Sequence, residues 1–189
     1  MQRVVVTGIG AVTPIGSTAA GLYEGVRRSR SAVGRITRFD PSAFHCQVAA
    51  EVAGFDPLAH MDPKRARRLD RFAQFAVAAA RQAVDDAGLH LEDEDRDRSG
   101  CFIGAALGGG AFAEEQHEIF LREGIRKVKP TLALAVFSGS ASCNIAIDLG
   151  LTGPTSANSD SCSSGAIAIG EAFRGIKAGD ADVMLAGGV

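Results

Sequence analysis

A chain of 189 residues with 46% hydrophobic content carries enough apolar side chain for one domain with a real core, and its net charge of −2 offers no electrostatic footing for nucleic acid or an anionic membrane. Glycine is abundant (23) and aromatic residues are few (6%, with no Trp), which suits close-packed helices, tight turns and sites lined by backbone. The four cysteines, Cys46, Cys101, Cys143 and Cys162, stand far apart without C-x-x-C pairing, which argues against a zinc site or disulfide framework and for a reducing cytosol.

Arg3 to Thr7 reads as a buried strand of β-branched residues closed by Gly8-Ile9-Gly10, not as a secretory signal. No apolar run approaches membrane-spanning length. Ser17 is read as the cap of a helix reaching about Arg28, with Leu22, Tyr23 and Val26 on its apolar side. From Ser29 to Asp62 the chain is irregular, with a strand at Gln47 to Ala53 and turn formers at Asp40-Pro41 and Asp56-Pro57. Asp62-Pro63 opens the clearest helix, with Asp at the cap and Pro at the first position, running to Asp86 and stopping at Gly88. Its first half is basic (Lys64, Arg65, Arg67, Arg68, Arg71), either a solvated face or a surface for an acidic partner. Its second half is rich in alanine and apolar almost all round, so that end is expected to be buried.

Glu92 to Arg98 is a solvated charge run between elements. Cys101 to Ala106 reads as a second buried strand, ending in Gly108-Gly109-Gly110. A helix is expected from about Ala111 to Arg122. Another is expected from Thr131 to Leu149, where the small residues Ser138 to Ser142 permit close approach of a neighbour and Gly150 ends the run. Gly153-Pro154 turns the chain, and Thr155 to Asp160 has too little β-branching for pattern alone to make it a strand. Asp182 to Ala186 reads as a third buried strand. Strands alternating with helices predict an α/β layered fold with a mainly parallel sheet.

The chemistry concentrates at Asn158-Ser159-Asp160-Ser161-Cys162-Ser163-Ser164-Gly165, small polar residues around one cysteine, feeding a helix to about Lys177. Ala166, Ile169, Phe173 and Ile176 fall at helical spacing, and Lys177 followed by Gly179 is a stop signal. Ser159, Asp160 and Ser161 are all candidate N-caps. Cys162 then falls in the first turn, where unpaired N–H groups and the macrodipole favour a thiolate and where a backbone N–H can serve an oxyanion. A small buried cysteine is the plain alternative, against which the polar neighbours speak.

Several other motifs fail. Thr13 stands where a dinucleotide fingerprint beginning at Gly8-x-Gly10 needs glycine. Gly104 to Gly110 lacks the Lys-Ser/Thr of a phosphate loop, and Cys162 has Asp160 and Ser164 where a hydrolase elbow has glycines. Spacing places none of His45, His60, His90 or His117 beside Cys162.

Arg3-Val-Val-Val-Thr-Gly-Ile-Gly-Ala-Val-Thr-Pro-Ile-Gly16, Phe39-Asp40, Ile103-Gly104 with Gly108-Gly109, Leu151-Thr-Gly-Pro154, Asp160-Ser-Cys-Ser-Ser-Gly165 and Gly179-Asp-Ala-Asp-Val-Met-Leu-Ala-Gly-Gly188 together resemble the elongating β-ketoacyl-acyl carrier protein synthases of the thiolase-like superfamily. The resemblance runs through essentially the whole chain in the family's order. It implies a thiolase-like α/β fold, layered α-β-α-β-α when complete, of which residues 1–189 would be the N-terminal half with a mixed, mainly parallel sheet. It implies an acyltransferase in fatty acid or polyketide synthesis that needs no cofactor or metal. Cys162 would take an acyl group from carrier protein, and the carbanion formed by decarboxylating a malonyl-carrier thioester would then attack it. Leu107 matches the family's apolar position at the acyl pocket, Ser163 is implied as a substrate-binding neighbour, and Thr155 to Asp160 matches the edge strand that pairs across the dimer.

Family members are about twice this length, two similar halves about a pseudo-twofold axis. The two histidines that assist decarboxylation, and a second oxyanion-hole N–H, come from the other half, and no histidine of this chain matches them. Cys162 speaks against the chain-length-factor relatives, which lack the nucleophile. Three readings stand open: one subunit of a split synthase completed by a C-terminal half, a fragment of an ordinary synthase, or a non-catalytic half that binds carrier protein or a synthase. The implied partners are acyl carrier protein bearing acyl and malonyl thioesters and, in a homodimer or heterodimer, a second copy or a complementary half. Nucleic acid and membrane are not among them.

Overall fold

A computed structural model describes residues 3–92 and 94–189, so the charge run at 92–98 lies within it except at position 93. Its centre is a three-stranded parallel sheet in the order β4 (Thr155–Asn158), β3 (Ser99–Gly104), β5 (Val183–Gly188). Register sets Cys101 beside Thr155 and Leu185, and Gly104 beside Asn158 and Gly188. β3 is buried apart from half-buried Phe102, as a central strand covered on both faces should be. The short span at 155–158, which pattern alone left open, is an edge strand. β5, expected to be buried, is half-exposed, since among the described residues it has a neighbour on one side only. A separate antiparallel ribbon joins β1 (Val33–Arg35) to β2 (Val48–Ala50), inside the span expected at 47–53.

Arg3 to Thr7 forms no ladder among the described residues, and Val5 and Val6 are 59% and 79% exposed. β-branching favours extended backbone, but a ladder also needs a strand alongside, and the sheet pairs elsewhere. The residues that follow, Gly8 to Ala11, lie against helix α3 (Arg71–Asp86). A Cβ on Gly8 would stand 2.1 Å from the Ala83 carbonyl oxygen, and one on Gly10 1.8 Å from that of Ala79. Ile9 N–H donates to Asp86 Oδ2 at 2.9 Å and Ala11 N–H to Gln82 Oε1 at 3.1 Å. Helix α1 (Ala19–Arg27) is capped by Thr18 rather than Ser17, its Oγ1 accepting from Gly21 N–H at 3.0 Å. Its contact is made by buried Gly25 against Ile15, while Tyr23 and Val26 point to solvent.

Asp62 caps as expected, accepting from the N–H groups of Lys64 and Arg65. The long helix then breaks into α2 (Pro63–Ala66) and α3, because Asp70 provides a second cap by accepting from Phe72 N–H at 3.0 Å. Gln74 Nε2 donates to the Ala66 and Leu69 carbonyls at the break. The alanine-rich half of α3 is buried as read, and Val77 joins Cys101, Ile103, Ala141 and Ile145 in the core.

The helix expected over 131–149 is likewise two, α5 (Leu132–Val136) and α6 (Ser140–Leu149), following α4 (Gly110–Glu123). A continuous helix would give the Val136 carbonyl to Ser140 N–H. Instead it accepts from Gly109 N–H at 2.9 Å, and Ser140 N–H turns to the Phe137 carbonyl. Ser140, Ala141 and Ser142 are buried, in keeping with the close approach their size permits, and Gly150 closes α6 in the left-handed region (φ 69°).

The basic residues around α2 divide. Arg71 lays its guanidinium over Phe75, 4.7 Å from the ring centroid, and donates to the Val52 carbonyl at 2.8 Å. Arg65 bonds Asp148 and the Asn144 carbonyl, and Arg81 donates to Asp148 at 2.6 and 2.8 Å. Lys64, Arg67 and Arg68 stay exposed. The Asp148 side chain is only 4% exposed and ties α2 and α3 to α6. Breaking such a buried pair strands the surviving charge. Arg81 is 43% exposed and can turn to water, so Asp148→Ala is expected to cost about 3 kcal/mol. Urea unfolding checks this, with Asp148→Asn losing less because its amide oxygen still accepts. An unchanged midpoint in the alanine variant would assign the cluster to the solvated surface.

Candidate active site

β4 ends at Asn158, and the chain crosses a tight turn into helix α7 (Ser164–Ala178). Cys162 lies exposed in the single 3₁₀ turn Ser161–Ser163 that leads into α7, one step ahead of the first helical turn where spacing put it. The displacement has a local cause, since Ser161 takes a left-handed backbone (φ 53°) that interrupts helical continuity. None of the three expected side-chain caps forms. Ser159 Oγ donates to Ser138 Oγ at 2.8 Å, and Asp160 makes no capping bond. Ser163 holds the cap position of α7, but its hydroxyl and N–H both donate to the Asp160 carbonyl, at 2.8 and 3.2 Å.

Two glycine contacts seat the turn on the sheet. A Cβ on Gly104 would stand 2.3 Å from the Ser164 carbonyl carbon, and one on Gly188 2.9 Å from Gly165 Cα. Glycine here is required by close approach of the start of α7 to β3 and β5. Asn158 adds a polar link, its Nδ2 donating to the Ser164 carbonyl at 3.1 Å and its Oδ1 accepting from Asp160 N–H at 3.3 Å. Gly104, Ser138, Asn158, Ser164 and Gly188 therefore support the site, where the sequence marked Asn158 and Ser164 only as part of the polar stretch, Ser138 only as a small residue, and Gly104 and Gly188 only as parts of family motifs. Glycine inside a strand was the one available signal, since it marks a place where other backbone comes near.

α7 presents a different face from the one spacing suggested. Ser164, Ala168 and Ala172 are buried, whereas Ile169 and Phe173 are 54% and 44% exposed. Contact with the sheet at backbone distance selects the smallest side chains and turns the large ones outward. Lys177 in the last turn and Gly179 in the left-handed region (φ 86°) stop the helix as read.

Burial pushes the Cys101 thiol up to about 12, with a smaller contribution from nearby Cys143, so Cys101 is held as the thiol. Cys46, Cys143 and Cys162 are exposed. Leu107 is 84% exposed in the loop between β3 and α4. Both Leu107 and Cys162 follow the C-terminal ends of neighbouring parallel strands, which are joined there by the Ala105 N–H donating to the Asn158 carbonyl at 3.0 Å. That end of a parallel sheet is where α/β folds place ligands. An open cleft of about 990 Å³ between α4 and α5 is lined by Phe120, Ile125, Val128, Leu132, Val136 and Phe137 among others, and by neither Leu107 nor Cys162.

His45 and His90 are exposed, His60 stacks on Phe55 with centroids 5.5 Å apart, and His117 stands on α4. None belongs to the elements that form the Cys162 turn. Among the described residues no cluster of His, Cys, Asp or Glu is disposed to hold a metal ion, and no helix is long and apolar enough to cross a membrane.

Residues 1–189 match the family model for the β-ketoacyl synthase N-terminal domain. The chain is 39% identical over 187 residues to 3-oxoacyl-[acyl-carrier-protein] synthase 2 of Staphylococcus aureus (strain N315), covering 99% of this chain and 45% of that protein. The corresponding synthase of Synechocystis sp. (strain ATCC 27184 / PCC 6803 / Kazusa) is 41% identical over 187 residues with the same coverage. The chain thus spans about half the length of the curated relatives it matches, at 45%. Among solved structures, the ishigamide ketosynthase/chain length factor superposes with a TM-score of 0.86 at 32% identity, covering 97% of this chain and 46% of that one. A type II PKS ketosynthase bound to the hexaketide, in complex with its acyl-carrier protein, gives 0.84 at 26% identity, covering 100% and 50%. A β-ketoacyl synthase from Burkholderia phymatum STM815 gives 0.83 at 30% identity, covering 98% and 46%.

Proposed function

Because this chain belongs to the β-ketoacyl synthase family, we propose that it supplies the nucleophilic half of a ketosynthase, with Cys162 as the acyl acceptor. The observation that carries this reading is the placement of Cys162, exposed in the turn between a parallel strand and the N-terminus of a 15-residue helix. The Cys162 sulfur attacks the thioester carbonyl of an acyl-carrier protein, forming a new C–S bond as the carrier's thiol leaves. A malonyl-carrier thioester then loses CO2, and the electron pair released attacks the acyl carbonyl, forming a C–C bond and freeing Cys162. Leu107, exposed at the same end of the sheet, is assigned to the apolar acyl chain. Ser163 is assigned to substrate through its position beside the nucleophile, although its hydroxyl and N–H are engaged with Asp160.

The partners that follow are an acyl carrier protein and a second polypeptide surface: another copy meeting the edge of β4 left unpaired among the described residues, a complementary C-terminal half, or both. The relatives' greater length supports the complementary half. The non-catalytic reading draws on one observation, that among the described residues the elements around Cys162 carry no histidine.

Acyl transfer separates the two. An acyl-thioester mimic, followed by mass-spectrometric mapping of the folded assembly, is expected to label Cys162 ahead of Cys46 and Cys143 and to leave buried Cys101 unmodified. Preferential modification of any other cysteine would favour the non-catalytic half.

A further inference from the structure

The Asn158 carboxamide spans the turn that carries Cys162. Nδ2 reaches forward to the Ser164 carbonyl at 3.1 Å, two residues beyond the cysteine, and Oδ1 takes the Asp160 N–H at 3.3 Å, two residues before it. The backbone of Asn158 is fixed in its turn, paired with Gly104 and accepting from Ala105 N–H at 3.0 Å. One planar group therefore ties both flanks of the turn to the end of β4. The other side-chain bonds of the turn differ in reach. Ser159 bonds outward to Ser138, and Ser163 bonds back to Asp160 within the turn. Among the described residues Asn158 alone links strand, turn and helix through its side chain. The turn needs such a link because Ser161 occupies a left-handed conformation that a non-glycine residue leaves readily unless its neighbours hold it there.

We infer that Asn158 is a positioning residue for Cys162, its carboxamide clamping the Asp160–Ser164 turn so that the sulfur keeps a set orientation at the start of α7. The inference rests on the reading of Cys162 as nucleophile and goes beyond it by naming what aims the sulfur.

The test uses the whole chain and a dipyridyl disulfide, which reacts with thiols at acid as well as neutral pH, with each cysteine followed by mass spectrometry. Cys46 and Cys143 serve as exposed internal references, and Cys101 reports unfolding. Asn158→Leu keeps the approximate volume and removes both hydrogen bonds. The Cys162 rate is expected to fall about tenfold relative to the two references, the scale of one or two lost hydrogen bonds. Asn158→Asp keeps the acceptor but donates only when its carboxyl is protonated. Its Cys162 rate relative to wild type is therefore expected to be low at about pH 8 and to recover as pH falls to about 4, through the carboxylate range. A purely space-filling role would give no such recovery. An unchanged Cys162 rate in Asn158→Leu, with Cys101 still protected, overturns the inference and leaves the nucleophile reading intact. If Cys101 becomes reactive in that variant, the Asn158→Asp profile decides, and a ratio flat with pH overturns the inference. A wild-type Cys162 no faster than Cys46 and Cys143 defeats the nucleophile reading, and this inference with it.

Discussion

In sedimentation velocity the 189-residue chain is expected to run as a dimer or a larger complex. Leu107, Val6, Ile147 and Leu121 are each more than two-thirds exposed, and α7 turns Ile169 and Phe173 outward from the sheet. The outer edge of β4 is unpaired among the described residues, and so is that of β5. At about 25 cal/mol per Å², leaving on the order of 1,000 Å² of apolar surface uncovered forgoes ~25 kcal/mol of gross burial, as an upper bound. A typical domain's net stability is about 5–15 kcal/mol. The comparison favours association with a second copy, with a complementary half, or with both. A monodisperse monomer that melts cooperatively would contradict it.

Much of the framework was legible because local rules and tertiary demands agree there. Asp62-Pro63 caps a helix on its own chemistry, Gly150 and Gly179 adopt the left-handed stops their positions suggest, and the alanines of α3 are buried as their pattern requires. The disagreements arise where a distant group competes for the same backbone. Gly109, some thirty residues upstream, takes the Val136 carbonyl that would have carried one helix through to Leu149. Between α2 and α3 the break is instead local: Asp70 caps Phe72, and Gln74 donates to the Ala66 and Leu69 carbonyls. Arg3 to Thr7 has the composition of a strand, but composition cannot supply the neighbour a ladder needs. At the site, Cys162 stood out by its polar setting and by family resemblance. The left-handed Ser161 carries no mark in the sequence, and Asn158 draws its significance from partners on either side of a turn whose shape was not predictable.

The largest expected chemical effect concerns condensation. On the proposed reading, acyl transfer asks mainly for an exposed thiol near a helix N-terminus, where Cys162 stands. Condensation also asks for groups that help the malonyl carboxylate leave and stabilise the enolate. The resemblance gives that work to two histidines matched by none of His45, His60, His90 and His117. Losing such a donor typically costs on the order of 2.7–4 kcal/mol, or ~10²–10³ in rate, for each. The chain alone is therefore expected to acylate itself slowly and to yield no measurable β-ketoacyl product, whereas a complementary histidine-bearing half restores turnover. The decisive measurement is a product assay with acyl- and malonyl-carrier protein, run with and without that half, on the wild-type chain and on Cys162→Ala. Product is predicted only for the wild-type chain with the added half. Turnover by the lone chain that persists in Cys162→Ala would contradict both the assignment of the nucleophile and the dependence on a second, histidine-bearing half.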